Sequence, residues 1–110
     1  MEFRQITEDY AVSAQIDPQD MQAIKAAGFR SVVCHRPDGE QPGQPSAEAV
    51  RAAAEAAGLQ FRHIPVVSGA PATPDQVAEM RRALAELDGP VFAYCRSGTR
   101  STNIFQAAQG

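Results

Sequence analysis

Short apolar runs alternate along this chain with segments of helical periodicity. Residues 29–34, 60–66 and 91–94 are rich in β-branched and aromatic side chains, which is typical of strands. Weaker alternation over residues 3–6 and 10–16 predicts two edge strands near the N-terminus. The pattern therefore predicts five strands, the last three of which are separated from one another by helices.

The helical segments carry start and stop signals. Asp17 is followed by Pro18, and Thr73, which begins a capping box, is followed by Pro74, so each helix has a proline at its first position. Strand–helix alternation of this kind predicts a single α/β domain over residues 1–110, with a mainly parallel central sheet of about five strands flanked by helices. The four predicted helices run from Pro18 to Gly28, from the N-cap Ser46 to Gly58, from Thr73 to Gly89, and over residues 100–108.

Charge and hydropathy narrow the function classes. The 110 residues carry a net charge of −3 and scattered basic residues, which argues against a nucleic-acid partner and against an anionic membrane surface. No apolar run approaches the roughly 18 residues of a membrane span, and the segment beginning at Met1 lacks the layout of a signal peptide. We expect a cytoplasmic protein, whose N-terminal edge strand would permit pairing between copies as a homo-oligomer.

The sequence contains two thiols, Cys34 and Cys95. They are too few for a disulfide scaffold, and His35 and His63 lack the spacing that a structural zinc site needs. No metal and no cofactor are predicted. Any chemistry of the two cysteines is therefore that of free thiols.

Residues 95–101 form the loop with the strongest chemical signal, because they join a predicted buried strand to a predicted helix. Successive backbone N–H groups there would point inward above the helix N-terminus, and Arg100 adds a guanidinium. Such an arrangement favours thiolate over thiol, and cysteines in comparable settings have pKa values of roughly 3.5–7.5. Cys95 is predicted to be largely ionised at neutral pH.

The loop resembles a motif shared by cysteine-based phosphatases and rhodaneses. Phosphatases place five residues between the nucleophilic cysteine and the arginine, whereas Cys95 and Arg100 have four between them, as in rhodaneses. The combination is similar to the beta-lactamase-hydrolase-like family, bacterial proteins with a phosphatase-like fold and a sulfurtransferase loop. Four other segments follow the layout of a dual-specificity-phosphatase-like domain: residues 10–16, 28–33, 36–40 and 63–66.

This resemblance implies a sulfurtransferase that moves sulfane sulfur from a small anionic donor to a thiol or cyanide acceptor. The Cys95 thiolate would attack the outer sulfur of a donor such as thiosulfate, expel sulfite and become a persulfide. Arg100 and Arg96 would hold the donor's oxygens. The Ser101 hydroxyl would donate either to the Cys95 sulfur or to the helix backbone. The remaining predicted substrate-binding residues are Ser97, Gly98 and Thr99.

Two other function classes stay open, and the family resemblance also suggests a separate hydrolase or oxidoreductase of sulfur metabolism as a partner. The first alternative is a protein tyrosine or dual-specificity-type phosphatase, which the four-residue spacing disfavours. Such enzymes need a general acid, and residues 67–72 contain no carboxylate. Asp75 is the candidate acid, although an acidic residue in the first turn of a helix also complements the helix dipole. The second alternative is a non-catalytic module that binds an anion or a partner.

Cys34 and His35 lie at a predicted strand end and have both a structural and a functional interpretation, whereas His63 lies within its predicted strand. Cys34 is a packed strand cysteine or, as the resemblance to phosphatases implies, a redox partner that forms a disulfide with Cys95. His35 either lines the mouth of the site or has no role. His63 is interpreted as a polar-face residue of its strand.

Overall fold

A five-stranded sheet forms the middle layer of the protein in this computed structural model, which describes residues 2–109 and so excludes Met1 and Gly110. The strand order is β1-β2-β5-β3-β4, and only β1 runs antiparallel to its neighbour. The predicted α/β fold with a mainly parallel sheet of five strands is confirmed. The strands are β1 (Arg4–Thr7), β2 (Tyr10–Ser13), β3 (Ser31–Cys34), β4 (Gln60–His63) and β5 (Val91–Tyr94).

Helices cover both faces of this sheet and produce two apolar cores. One core lies between the sheet and the first two helices and is built around Ile24, Val50 and Phe92; the other includes Met80 and Ile104. Strands β3 and β5 are buried on both faces, and their side chains are apolar or aromatic except at Ser31, whose hydroxyl donates to the Asp88 carbonyl oxygen. The helices are α1 (Met21–Ala26), α2 (Ala47–Ala56), α3 (Pro74–Glu86) and α4 (Thr99–Gln109), with a 3₁₀ turn at Pro18–Asp20 before α1.

The parallel strands end together. Ser13 and Cys34 both pair with Tyr94 in register, and Cys34 also pairs with His63. The four loops that leave this row of residues therefore meet at one edge of the sheet, where ligands bind in open α/β folds. The loop that follows Tyr94 begins with Cys95.

The prediction of two N-terminal edge strands is wrong for β2. All four residues of β2 are buried, and β2 lies inside the sheet beside β5, while β1 and β4 are the edges. Weak alternation suggested a half-exposed strand, but α4 packs against β2 as well, so both faces of β2 are covered. In the part of the chain that the structure describes, no helix is long and apolar enough to cross a membrane.

Candidate active site

The loop from Cys95 to the start of α4 wraps around the Cys95 sulfur. Gly98 donates its backbone N–H to Cys95 Sγ at 3.0 Å. Gly98 has a φ of +92°, a conformation that side chains other than glycine adopt only with strain. A Cβ at this position would meet only ordinary contacts with Ser13 and Val12, so backbone conformation, and not space, requires the glycine.

Cys95 is fully buried, and the loop lowers its pKa. Burial by itself raises the pKa, but backbone hydrogen bonds from Ser101, Ser97, Gly98 and Arg100 together outweigh it. These N–H groups supply a positive potential without any mobile side chain. The geometry thus favours a thiolate at Cys95, held by the backbone.

Arg100 lies in the first turn of α4 and is buried. Its Nη1 donates to Glu40 Oε2 and to the Val66 carbonyl oxygen, both at 2.8 Å, and its Nη2 donates to Glu40 Oε1 at 3.0 Å. These bonds raise the pKa of Arg100, to which the Cys95 charge also contributes. Among residues 2–109 no oxygen accepts from Nε or from the second Nη2 hydrogen, so this edge of the guanidinium can hold an anion beside the sulfur.

Glu40 reaches the site although nothing in the sequence pattern requires it to do so. It follows the turn after β3 and receives hydrogen bonds from Arg100 and from Arg36, whose Nε lies 2.8 Å from Glu40 Oε1. These bonds, first those from Arg100, hold the pKa of the Glu40 carboxyl below its usual range. A lone glutamate after a turn gives no signal in a single sequence, because its partners lie 4 and 60 residues away.

His35 is completely buried beneath the loop, and so it does not line the mouth of the site. Its Nδ1 lies 2.7 Å from Ser101 Oγ, and its Nε2 lies 3.3 Å from Met80 Sδ. Burial, together with the charges of His63 and Arg100, lowers the pKa of His35 to about 3, so the ring is neutral. A thioether has no proton to donate, which places the ring proton on Nε2 and makes Ser101 the hydroxyl donor to Nδ1.

Neither predicted role of the Ser101 hydroxyl agrees with this arrangement. The hydroxyl binds His35, and it is the backbone N–H of Ser101 that contributes to lowering the Cys95 pKa. The Ser101 carbonyl in turn accepts from the buried Tyr10 hydroxyl at 2.8 Å. Ser101 therefore anchors the start of α4 through three separate groups.

The other predicted site residues lie at the rim. The side chains of Arg96, Ser97 and Thr99 are exposed, and Ser97 Oγ donates to Thr99 Oγ1 at 3.1 Å. A groove of about 290 Å³ runs beside Ser97 and reaches Arg4. Asp75 is exposed in the first turn of α3, and no contact joins it to Cys95 or Arg100 among the described residues.

Cys34 is buried at the end of β3, and its Sγ donates to the Arg36 carbonyl oxygen at 3.4 Å. The same carbonyl accepts from His63 Nε2 at 2.9 Å, which gives His63 a structural contact. Burial raises the pKa of the Cys34 thiol, and the Cys95 charge adds to the effect. Both cysteines are free thiols, and the disulfide between them stays a prediction.

The arrangement contains no cluster of ligands that a metal would need. Across residues 2–109, no three His, Cys, Asp or Glu side chains come together in a metal-binding group. A larger groove of about 500 Å³ lies at the opposite ends of β2 and β5, lined by Tyr10, Leu84 and Phe105. It lacks a thiol and is remote from the loop, so we place the chemistry at Cys95.

Comparison with known proteins supplies the family. The sequence model of the beta-lactamase hydrolase-like protein, phosphatase-like domain, matches residues 2–110. The chain belongs to this family. Beta-lactamase hydrolase-like proteins of Agrobacterium fabrum and of Xylella fastidiosa strain Temecula1 are 38% and 35% identical to it, over 96% and 99% of the chain. The chain spans about a quarter of the length of these curated relatives, 24% and 25% respectively.

Solved structures give the same assignment of the fold. A candidate phosphatase from Neisseria meningitidis matches with a TM-score of 0.87 at 31% identity, covering 100% of this chain and 80% of that one. The phosphotyrosine complex of P. aeruginosa TpbA matches with a TM-score of 0.64 at 18% identity, over 91% of this chain and 56% of that one, and shows the fold alone. The domain is therefore phosphatase-like, and the comparisons favour the phosphatase alternative over sulfur transfer.

Proposed function

We propose that this phosphatase-like domain is a cysteine-based phosphatase in which Cys95 takes up the phosphoryl group of a small phosphate ester. The observation that carries the proposal is the loop geometry: a buried sulfur receives backbone N–H groups and lies beside the Arg100 guanidinium. The family and its solved neighbours add support for phosphoryl transfer in preference to other anion chemistry.

The reaction has two steps. In the first, the Cys95 thiolate attacks phosphorus, an S–P bond forms, and the ester oxygen leaves with the electron pair of the broken P–O bond. In the second, water attacks phosphorus, the S–P bond breaks, and inorganic phosphate and the thiolate are released. Backbone N–H groups of the loop and the Nε edge of Arg100 stabilise the equatorial oxygens in both transition states.

The lack of a loop acid sets the substrate class. Residues 67–72 contain no carboxylate, and Asp75 is exposed in the first turn of α3, with no contact to Cys95 or Arg100 among the described residues. A leaving oxygen that receives no proton must be a stable anion by itself, as a phenolate is. The domain is therefore proposed to prefer aryl phosphates over alkyl phosphates.

Sulfane-sulfur transfer is the second candidate, because two features of this chain favour it. Four residues, and not five, separate Cys95 from Arg100, and the loop after β4 offers no acid. Attack on the outer sulfur of thiosulfate would break its S–S bond, release sulfite and leave a persulfide on Cys95, with no proton required by the leaving group. Cyanide or a thiol would then take the terminal sulfur and restore the thiolate.

One pair of measurements separates the candidates. Hydrolysis of p-nitrophenyl phosphate that disappears in Cys95→Ser, and that falls steeply as the leaving phenol becomes less acidic, supports the phosphatase. A gain of one sulfur, about 32 Da, after incubation with thiosulfate, again lost in Cys95→Ser, supports sulfur transfer instead. Asp75→Asn serves as the matched control, and unchanged hydrolysis is expected because Asp75 is not the acid. If neither activity is detected, the remaining interpretation is a non-catalytic module that binds an anion or a partner.

A further inference from the structure

The charges around Glu40 do not balance. Arg36 and Arg100 are 2% and 9% exposed, and both donate to the one Glu40 carboxylate. Two guanidinium groups against one carboxylate leave a net charge of +1 among these three side chains, beside the Cys95 thiolate. Burying a surplus cation costs stability, and the Arg100–Glu40 pair by itself would be neutral. The second arginine therefore changes by one unit the charge that the Arg100–Glu40 pair presents to the sulfur.

Arg36 is held away from any substrate by its own contacts. Its Nε donates to Glu40, its Nη1 to Gln15 Oε1 at 2.9 Å, and its Nη2 to Gln41 Oε1 at 2.9 Å. Every nitrogen of the guanidinium thus has a fixed partner, and the side chain joins the loops after β2 and β3. Arg36 supplies charge and position to Glu40 but no donor aimed at the Cys95 sulfur.

We propose that Arg36 is a positioning residue that offsets the Glu40 carboxylate, so that Arg100 presents uncompensated positive charge to an anionic substrate. With Arg36 present, Glu40 orients Arg100 without cancelling its charge. Without Arg36, the bidentate Glu40 pair neutralises Arg100. The proposal rests on the proposed function only in that Cys95 is the nucleophile of an anion-binding site.

Alkylation of Cys95 by two reagents of different charge tests this directly. Iodoacetate is an anion and iodoacetamide is neutral, and each is attacked by the same sulfur with loss of iodide. The ratio of their rates reports the charge that an approaching reagent meets, because loop opening and the thiolate fraction affect both rates equally and cancel. Peptide mass analysis assigns the label to Cys95 and not to Cys34.

Four variants give the expected pattern. Arg36→Gln lowers the iodoacetate-to-iodoacetamide ratio about tenfold, the size expected for one unit charge roughly 12 Å from the reagent at an effective dielectric constant of about 20. Glu40→Gln raises the ratio, since the cluster then carries an additional positive charge. The double variant Arg36→Gln/Glu40→Gln returns to the wild-type ratio because it loses one positive and one negative charge, which leaves the net charge of the cluster unchanged. Arg62→Gln, which removes an arginine from a surface ion pair with Glu86, leaves the ratio unchanged.

Three outcomes would overturn the proposal. A folded Arg36→Gln with the wild-type ratio removes the charge role, and a double variant as low as Arg36→Gln shows that orientation alone matters. A fall of the iodoacetate-to-iodoacetamide ratio in Glu40→Gln would also rule out the charge role. This outcome can be observed even if the Arg36 variant does not fold. Failure of both phosphate and thiosulfate turnover does not change these ratios, so the failure of the proposed function is distinguishable from that of this proposal.

Discussion

Cys34 and Cys95 lie at the ends of neighbouring strands of one sheet, and both are buried, but their pKa values move in opposite directions. Burial is the largest influence on each thiol and raises the pKa of each. The two pKa values differ because the backbone that follows each cysteine has a different conformation. The chain after Cys95 turns through Gly98 and directs several N–H groups at the sulfur, whereas Cys34 donates its own proton to a carbonyl oxygen.

The comparison teaches that strand-end position and burial do not make a reactive thiol. A helix that begins four residues after Cys95 supplies oriented dipoles, while the chain after Cys34 enters the Arg36–Glu40 turn. Oriented N–H groups stabilise a thiolate even where water is excluded. The four predictions below test this difference, from the largest expected effect to the smallest.

Replacement of each sulfur by oxygen should affect catalysis at one position only. Cys95→Ser should reduce turnover of p-nitrophenyl phosphate or thiosulfate by about a thousandfold or more, because a serine hydroxyl is not ionised in this cradle. Cys34→Ser, its matched control, should keep most of the activity, since Cys34 Sγ donates to the Arg36 carbonyl oxygen and lies outside the 95–101 loop. If folded Cys95→Ser and folded Cys34→Ser lost turnover to a similar extent, the two thiols would not differ in their importance for catalysis.

Protonation of His35 should destabilise the folded state, because it breaks the contact between His35 and Ser101 that anchors the start of the helix behind Cys95. The folded state resists protonation of His35 down to pH about 3, but the unfolded chain binds that proton below about 6.5, so stability falls as pH decreases through this window. Between pH 7.5 and pH 5.0 the wild type should lose about 2 kcal/mol more unfolding free energy than His35→Gln.

Urea unfolding at the two pH values measures this difference. Equal pH dependence of the wild type and His35→Gln would show that His35 is accessible to protons in the folded state.

The pH dependence of alkylation should separate the two thiols, with a lower midpoint at Cys95 than at Cys34. The iodoacetamide rate at Cys95 should have its midpoint below the value of about 8.5 of a free cysteine, and the rate at Cys34 should have its midpoint above it. Peptide mass analysis resolves the two sites in one sample. If the midpoint for Cys95 were at or above that of a free cysteine, the backbone N–H groups of the 95–101 loop would not stabilise its thiolate.

Mild peroxide should oxidise Cys95 without recruiting Cys34. The raised pKa and the apolar packing of Cys34 against Phe92 and Tyr94 disfavour its attack on a Cys95 sulfenic acid. Intact mass should therefore rise by about 32 Da as sulfinic acid forms. A loss of about 2 Da, absent in Cys34→Ser, would instead demonstrate the disulfide and make Cys34 a redox partner.

Much of the fold could be predicted from local signals. The capping box at Thr73 and the Ser46 N-cap begin α3 and α2 as expected, with Thr73 and Ser46 accepting from the backbone three residues on. Such signals act within one turn of chain and need no tertiary contact. The position of β2 inside the sheet was beyond them, because strand order depends on long-range pairing with β5.

Some features of the candidate site are likewise local to one segment of sequence, whereas others depend on contacts between distant segments. The sequence by itself determined the spacing of Cys95 and Arg100, the glycine for the turn and the absence of a carboxylate after β4, since each is a property of one short segment. Only the tertiary structure decided that Glu40 orients Arg100, that Arg36 offsets Glu40, and that His35 binds Ser101. Paired buried charges come from separate loops, and burial exists only once those loops meet at the edge of the sheet.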